Sequence, residues 1–374
     1  MRIIRKLLSS IFSILPLRKI IVFESIPDYS DNTKAVFDYM VSEHLNKKYR
    51  LVWLCYSKNS FSYIKLKNVS FIKKDSLLET YYLKRSKAVI CCNHFVKPSS
   101  ERQLSFYLGH GSPLKSAKGY YEIPSWFNYV FVASQNMGDI LNGFYGISKE
   151  KLIALGYPRN DQLINYRFDL HNLFNVDFKK IIVWYPTFRQ GKGGTTTGSK
   201  HSLPIIWNEE QALKLNECAA SLSVLLVLKP HFAQDVSLIK ELNLSNIIFI
   251  DDSFFEKNNI SSYQFVGNCD ALITDFSSIY YDFLICGKPI GLIWEDFDDY
   301  SKNPGFAVDV HYYTKAGVKI LDLTGFLKFI NDISLNKDIL SQERKEICKL
   351  VNYSNDANNS KRVYDFIMNV IETK

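Results

Sequence analysis

The chain has 374 residues, 47% of them hydrophobic and 22% charged, which is the balance of an ordinary globular protein with room for two cores. Its formal charge of +8 favours an anionic partner, whether a nucleotide, a phosphopolymer, a membrane surface or nucleic acid, without choosing among them. Seven cysteines, an odd number with Cys91 and Cys92 adjacent, argue against a disulfide framework and for a reducing cytoplasm. No C-x-x-C or H-E-x-x-H pattern occurs, which argues against a structural zinc or a zincin site.

Residues 1–19 come first. Ile3, Ile4, Leu7, Leu8, Ile11, Phe12 and Leu15 fall on one helical face, Arg2, Arg5, Lys6 and three serines fall elsewhere, and Pro16 ends the pattern. The apolar stretch is too interrupted to span a bilayer and has no small-residue cleavage site. It reads as a basic amphipathic helix lying on an anionic membrane surface. The plainer alternative is a first helix that covers the core.

Apolar runs then recur with helical patterns between them: Ile20–Phe23, Leu51–Cys55, Ala88–Cys92, Tyr129–Ala133, Ile181–Trp184, Leu225–Leu228, Ile247–Ile250, Ala271–Thr274 and Ile290–Ile293. Several are apolar at every position, as strands of a parallel sheet covered on both faces are. The alternation predicts a doubly wound α/β architecture. Polar residues across 165–179 mark a change of domain, which gives domains at 20–165 and 166–355 and a final helix within 356–374. The stretch Gly191–Ser202, rich in Gly and Thr, reads as a mobile loop.

Polar motifs collect just past the carboxyl ends of these runs, where open α/β sheets bind ligands. His110 and Lys115 lie in Leu108-Gly109-His110-Gly111-Ser112-Pro113-Leu114-Lys115, after the short run Leu104–Leu108. Arg189 ends Pro186-Thr187-Phe188-Arg189, and Lys229-Pro230-His231 follows Leu225–Leu228. Asp275, Ser277 and Ser278 follow Ala271–Ile273 and open a short helix stopped by Gly287. Serine hydroxyls and free amides there suit a phosphate, although a serine that merely caps the helix has the same signature. Two halves built this way would face each other across a cleft.

These motifs, in this order, resemble those of the CDP-glycerol glycerophosphotransferases that build teichoic acids and related phosphopolymers, and the resemblance runs from about Val22 to Ile371. His110-Gly111-Ser112-Pro113-Leu114-Lys115, Pro186-Thr187-Phe188-Arg189, Lys229-Pro230-His231 and Thr274-Asp275-Phe276-Ser277-Ser278 carry it, with Phe23-Glu24-Ser25 and Tyr29-Ser30-Asp31-Asn32 nearer the start. Departures are Gly109 in place of a usual Trp, Ser112 for Thr, Phe232 for Pro, and Pro304 for Arg. The resemblance implies two Rossmann-like domains of the GT-B type facing a central cleft. The second would hold the nucleotide and the first the acceptor. It also implies peripheral attachment to the cytoplasmic face of the cell membrane.

The implied reaction is attack of an acceptor hydroxyl on the β-phosphorus of CDP-glycerol or CDP-ribitol, releasing CMP. The acceptor would be a lipid-linked saccharide or a polyol-phosphate chain. An alcohol needs a base, and imidazole titrates near neutrality, so His110 is the expected base. His231 would be the second catalytic residue, stabilising charge on the diphosphate; Arg189, Lys229, Lys115, Ser277 and Ser278 would bind the donor, and Asp275 would orient a donor or bind the nucleotide. No metal or other cofactor is expected, since no D-x-D stands in a metal-binding context and Asp296–Asp299 reads as a solvated acidic loop. No block of basic residues with stacking aromatics appears, which argues against nucleic acid. A homo-oligomer stays open. The competing readings are a GT-B glycosyltransferase with a nucleotide-sugar donor, and a non-enzymatic binder of anionic polymer.

Overall fold

All nine apolar runs are parallel strands in a computed structural model of the protein. It describes residues 9–116, 122–187, 190–191, 194–195, 203–230, 236 and 240–373. The chain divides into two compact units: Met1–Ser112 with Glu122–Asp161 and Tyr353–Lys374, and Pro113–Tyr121 with Gln162–Asn352.

The first unit holds seven parallel strands in the order β3-β2-β1-β4-β5-β6-β7. They are β1 (Arg18–Glu24), β2 (Arg50–Cys55), β3 (Val69–Lys73), β4 (Ser86–Cys91), β5 (Leu104–Tyr107), β6 (Tyr129–Val132) and β7 (Leu152–Ala154). Strand order reverses between β1 and β4, so their carboxyl ends form the switch point at which such sheets bind ligands. Successive residues of β1 point to opposite faces, and Ile20 to Phe23 are all buried because helices cover both.

The final helix, Asn359–Thr373, belongs to this unit. Val363, Ile367 and Ile371 recur at intervals of four and pack with Phe37, Met40 and Trp53. Its start is fixed by Asp161, whose carboxylate accepts from the Asn359 and Ser360 amides at 2.9 and 2.7 Å. Gly156, at φ 84, admits the Asn359 side chain where a Cβ would collide with it.

The second unit holds β8 (Lys180–Trp184), β11 (Val224–Leu228), β12 (Ile247–Phe249), β13 (Ala271–Thr274), β14 (Ile290–Ile293) and β15 (Val318–Ile320). Their order, β12-β11-β8-β13-β14-β15, is that of a dinucleotide-binding sheet, with its switch point between β8 and β13. A two-stranded ribbon pairs β9 (Gln190–Gly191) with β10 (Gly194–Thr195). Ala212 and Leu215 from the helix Glu209–Ser221, and Phe326, Phe329, Ile330 and Ile333 from Leu323–Ser334, cover one face of the sheet. Each of the buried Leu, Ile and Phe side chains contributes about 1.5–3 kcal/mol. The acidic run expected as a loop instead opens the helix Phe297–Lys302, with Asp298 and Asp299 in its first turn, where carboxylates favour the helix dipole.

All seven cysteines are free thiols. Among the described residues no helix is long and apolar enough to cross a membrane. Residues 9–14 are helical and tied to the first unit: Phe12 meets Tyr81 edge-on, and Arg102 Nη2 donates to the Ser13 carbonyl at 2.8 Å. Residues 1–8 and most of Gly191–Ser202 lie outside the described residues.

Candidate functional site

In the first unit, two loops meet through one carboxylate. Asp31 opens the helix Asp31–Ser42 that follows β1, and its left-handed φ of 61 costs an ordinary residue about 1–2 kcal/mol. One Asp31 oxygen accepts from Arg159 Nη1 at 2.7 Å, and the other accepts from His110 Nδ1. The adjacent Asn32 completes the clasp: its amide donates to the Gly109 carbonyl at 2.9 Å and its oxygen accepts from the Arg159 amide at 3.0 Å.

Burial alone would raise the Asp31 carboxyl. The Arg159 guanidinium and then the His110 ring outweigh it, holding the carboxyl well below the usual carboxylate range. With an ionised acceptor on Nδ1, the imidazole carries its proton there and presents Nε2 outward. The Asp31 side chain is 6% exposed and that of His110 is 60% exposed, so the anchor is sealed while the ring stays accessible. Gly109 at φ 69 and Gly111 at φ 141 bracket the histidine, and both conformations favour glycine.

In the second unit, the residues after β8 and β13 are joined at the switch point. Asp275, 1% exposed, accepts from the Thr187 amide at 2.9 Å and from the Thr187 hydroxyl. Thr274 Oγ1 donates to the Tyr185 carbonyl at 2.8 Å. Asp275 therefore pins the segment Tyr185–Thr187 that leads to Arg189. Asp282 is fully buried and accepts from the Tyr263 hydroxyl at 2.6 Å, which gives it a packing role.

Ser277 and Ser278 are partly buried beside this joint. Ser278 takes the N-cap position of the helix Ile279–Phe283 but has helical dihedrals, φ −63 and ψ −18, and makes no side-chain capping bond. The plainer alternative, a hydroxyl that merely caps the helix, therefore does not hold for Ser278. A capping side chain reaches back from an extended backbone, and Ser278 is already helical. Lys229 pairs with Asp252 at 3.0 Å and lies over the Tyr185 ring. Lys115 is exposed and sits in an antiparallel bridge with Phe306.

The motif that contains His110 and Lys115 is divided, since His110 belongs to the first unit and Lys115 to the second. Arg189 and His231 lie outside the described residues. Among the described residues no group of three or more His, Cys, Asp or Glu side chains is arranged to hold a metal ion. Asp31 and Arg159 were not among the candidate residues. The signals for them were present in Asp31-Asn32 just after a strand and in the Gly156–Asp161 stretch, but pairing them needs the fold.

The model for the family CDP-glycerol:poly(glycerophosphate) glycerophosphotransferase matches residues 7–369. A teichoic acid glycerol-phosphate transferase of Staphylococcus aureus is 23% identical over 80% of this chain and 80% of its own length. A teichoic acid poly(glycerol phosphate) polymerase of Staphylococcus epidermidis is 25% identical over 76% of this chain, which spans 41% of that protein. A solved structure of the wall teichoic acid polymerase TagF superposes with a TM-score of 0.76 at 21% identity, covering 99% of this chain and 93% of that chain. That likeness establishes the GT-B type of fold. With its family match running across nearly the whole chain, the protein belongs to the CDP-glycerol:poly(glycerophosphate) glycerophosphotransferases and is a transferase.

Proposed function

We propose that the protein transfers glycerol phosphate from CDP-glycerol to a hydroxyl of a teichoic-acid-type acceptor and releases CMP. The family supports the reaction class, and a TagF structure soaked with CDPG supports the donor. The observation that carries the chemistry is the accessible His110 ring, held by the buried Asp31 carboxylate at the carboxyl rim of the first sheet.

His110 Nε2 takes the proton of the acceptor hydroxyl as its oxygen attacks the β-phosphorus. A new P–O bond forms, the bond from that phosphorus to the CMP oxygen breaks, and the electron pair leaves on CMP. Asp31 fixes the ring's tautomer and stabilises the imidazolium. In the second unit Ser277, Ser278 and Lys229, with Lys115, Arg189 and His231, bind the diphosphate and stabilise charge on the leaving group. Asp275 acts by ordering Tyr185–Thr187.

The acceptor is a lipid-linked saccharide or a polyol-phosphate chain. The N-terminal segment lies on the anionic cytoplasmic face of the membrane. Ile11 and Ile14 are 45% and 79% exposed, and that apolar surface supports this reading. Removing residues 1–16 should abolish sedimentation with anionic vesicles. Full retention on vesicles would place the attachment elsewhere.

The deciding experiment measures CMP release from CDP-glycerol and CDP-ribitol, and nucleotide release from a panel of nucleotide-sugars, with a polyol-phosphate acceptor. Turnover with CDP-glycerol supports the proposal. Turnover with nucleotide-sugars alone would make the protein a glycosyltransferase of the same architecture.

A further inference from the structure

A second imidazole is anchored on the same rim of the first sheet, and the reaction described above does not use it. Glu24, the last residue of β1, is fully buried at the switch point. One of its oxygens accepts from Lys74 Nζ and lies 2.8 Å from His94 Nδ1. Lys74 follows β3, is 9% exposed and sits 4.1 Å from the centre of the Tyr56 ring. The other oxygen, Glu24 Oε2, is shut off from solvent with no hydrogen-bond partner among the described residues.

Burying a carboxylate with one oxygen unsatisfied is costly, and Lys74 alone could neutralise its charge. The cost is explicable if the carboxylate has a second task, which is to hold His94. The His94 side chain is 46% exposed, so the ring is gripped on one edge and open on the other. The His94 loop is also fixed from behind, because the Ile26 amide donates to Asn93 Oδ1 at 2.8 Å.

The placement parallels that of Asp31 and His110, in which a carboxylate also faces the Nδ1 edge of a ring. Cys91 of β4 pairs with Tyr107 of β5, and His94 and His110 follow these two partners at the same interval. Adjacent strands lie about 4.8 Å apart, so the two rings belong to neighbouring loops on one edge. With Nδ1 turned to the Glu24 carboxylate, Nε2 lies on the ring's open edge, where an O–H group is a natural partner.

We infer that His94, oriented by Glu24 and Lys74, is a binding site for a hydroxyl of the acceptor's terminal polyol, next to the hydroxyl that His110 deprotonates. Its neighbouring role rests on the proposed transfer reaction, whereas the binding itself does not require chemistry.

The test is calorimetric titration of the full-length protein with a synthetic oligo(glycerol phosphate) in the absence of donor. His94→Ala should weaken binding about tenfold, as loss of one hydrogen bond does. Methyl-capping the oligomer's terminal hydroxyls should weaken wild-type binding and erase the difference between the two proteins. In turnover, His94→Ala should raise KM for the acceptor and leave KM for CDP-glycerol unchanged. His94 is half-exposed, so this variant should fold. Glu24→Gln, which keeps the shape and removes the charge, should shift acceptor binding in the same direction. Equal binding by wild type and His94→Ala, absence of wild-type binding, or His94 dependence that survives capping each overturns the site. Failure of CMP release overturns the transfer reading and is scored separately.

Discussion

Arg159 and Asp31, 128 residues apart in sequence, are bound at 2.7 Å, and this pair fixes where His110 stands. Arg159 takes one carboxylate oxygen and leaves the other for the imidazole. Because Asp31 is sealed from water, its charge acts through a low local dielectric. The ring is oriented before any substrate arrives, and its free edge is the accessible one.

Replacing His110 by Ala should lower turnover about 10²–10⁴-fold, the usual loss of a general base. Asp31→Asn should also lower kcat, by about 10²-fold or more, since an amide can donate to Nδ1 and favour the wrong tautomer. CMP release at saturating donor and acceptor reads both. A near-normal kcat for His110→Ala would remove it from the chemistry.

Asp31 also sets an acid limit on stability. Its carboxyl is depressed in the folded state and ordinary, near about 3.9, in the unfolded chain. The stabilisation is therefore complete above the unfolded value and is lost as the pH falls towards the lower folded value. Unfolding free energies of wild type and Asp31→Asn from urea titrations should differ by a constant amount from pH 5 to pH 7, to within about 0.5 kcal/mol. The difference should begin to shrink below about pH 4 and keep shrinking as the pH falls further. A difference that does not shrink at all between about pH 5 and about pH 2 would contradict the depressed carboxyl.

Ser277→Ala with Ser278→Ala should weaken CDP-glycerol binding about tenfold, the loss of one or two hydrogen bonds to a charged group. Because Ser278 makes no capping bond, the thermal midpoint should hardly move, whereas loss of a true cap costs about 1 kcal/mol. Calorimetry and a melting curve on the same variant separate the roles. Unchanged donor affinity would take both serines out of the phosphate site.

Gly109→Ala should destabilise the first unit by about 1–2 kcal/mol and lower kcat. The residue sits at φ 69, and a Cβ there would meet the Tyr157 ring at 2.8 Å. Relief of that clash displaces the loop that carries His110. A variant of wild-type stability and rate would show that the loop tolerates a side chain at this position.

Strands were legible wherever both faces are covered. Ile20–Phe23, Leu225–Leu228 and Ala271–Ile273 are apolar at successive positions because helices lie above and below them. In the two large sheets the strands that escaped reading, β3, β7 and β15, are all sheet edges. Val69–Lys73 and Leu152–Ala154 are mostly half-buried, and such short, mixed stretches carry no distinctive period.

The amino-acid order by itself determined the α/β alternation and the polar turns at strand ends, because hydrophobic periodicity and turn chemistry are local. It also carried the family, through motifs each confined to a few residues. Only the tertiary structure decided which turns meet. Asp31, His110 and Arg159 come from loops after β1, β5 and β7, and Thr187 and Asp275 come from loops after β8 and β13. It likewise decided that the last helix packs on the first sheet, with Asp161 as its cap. Parallel pairing brings together segments far apart in the chain, and the partner of a buried charge depends on strand order, which no local pattern encodes.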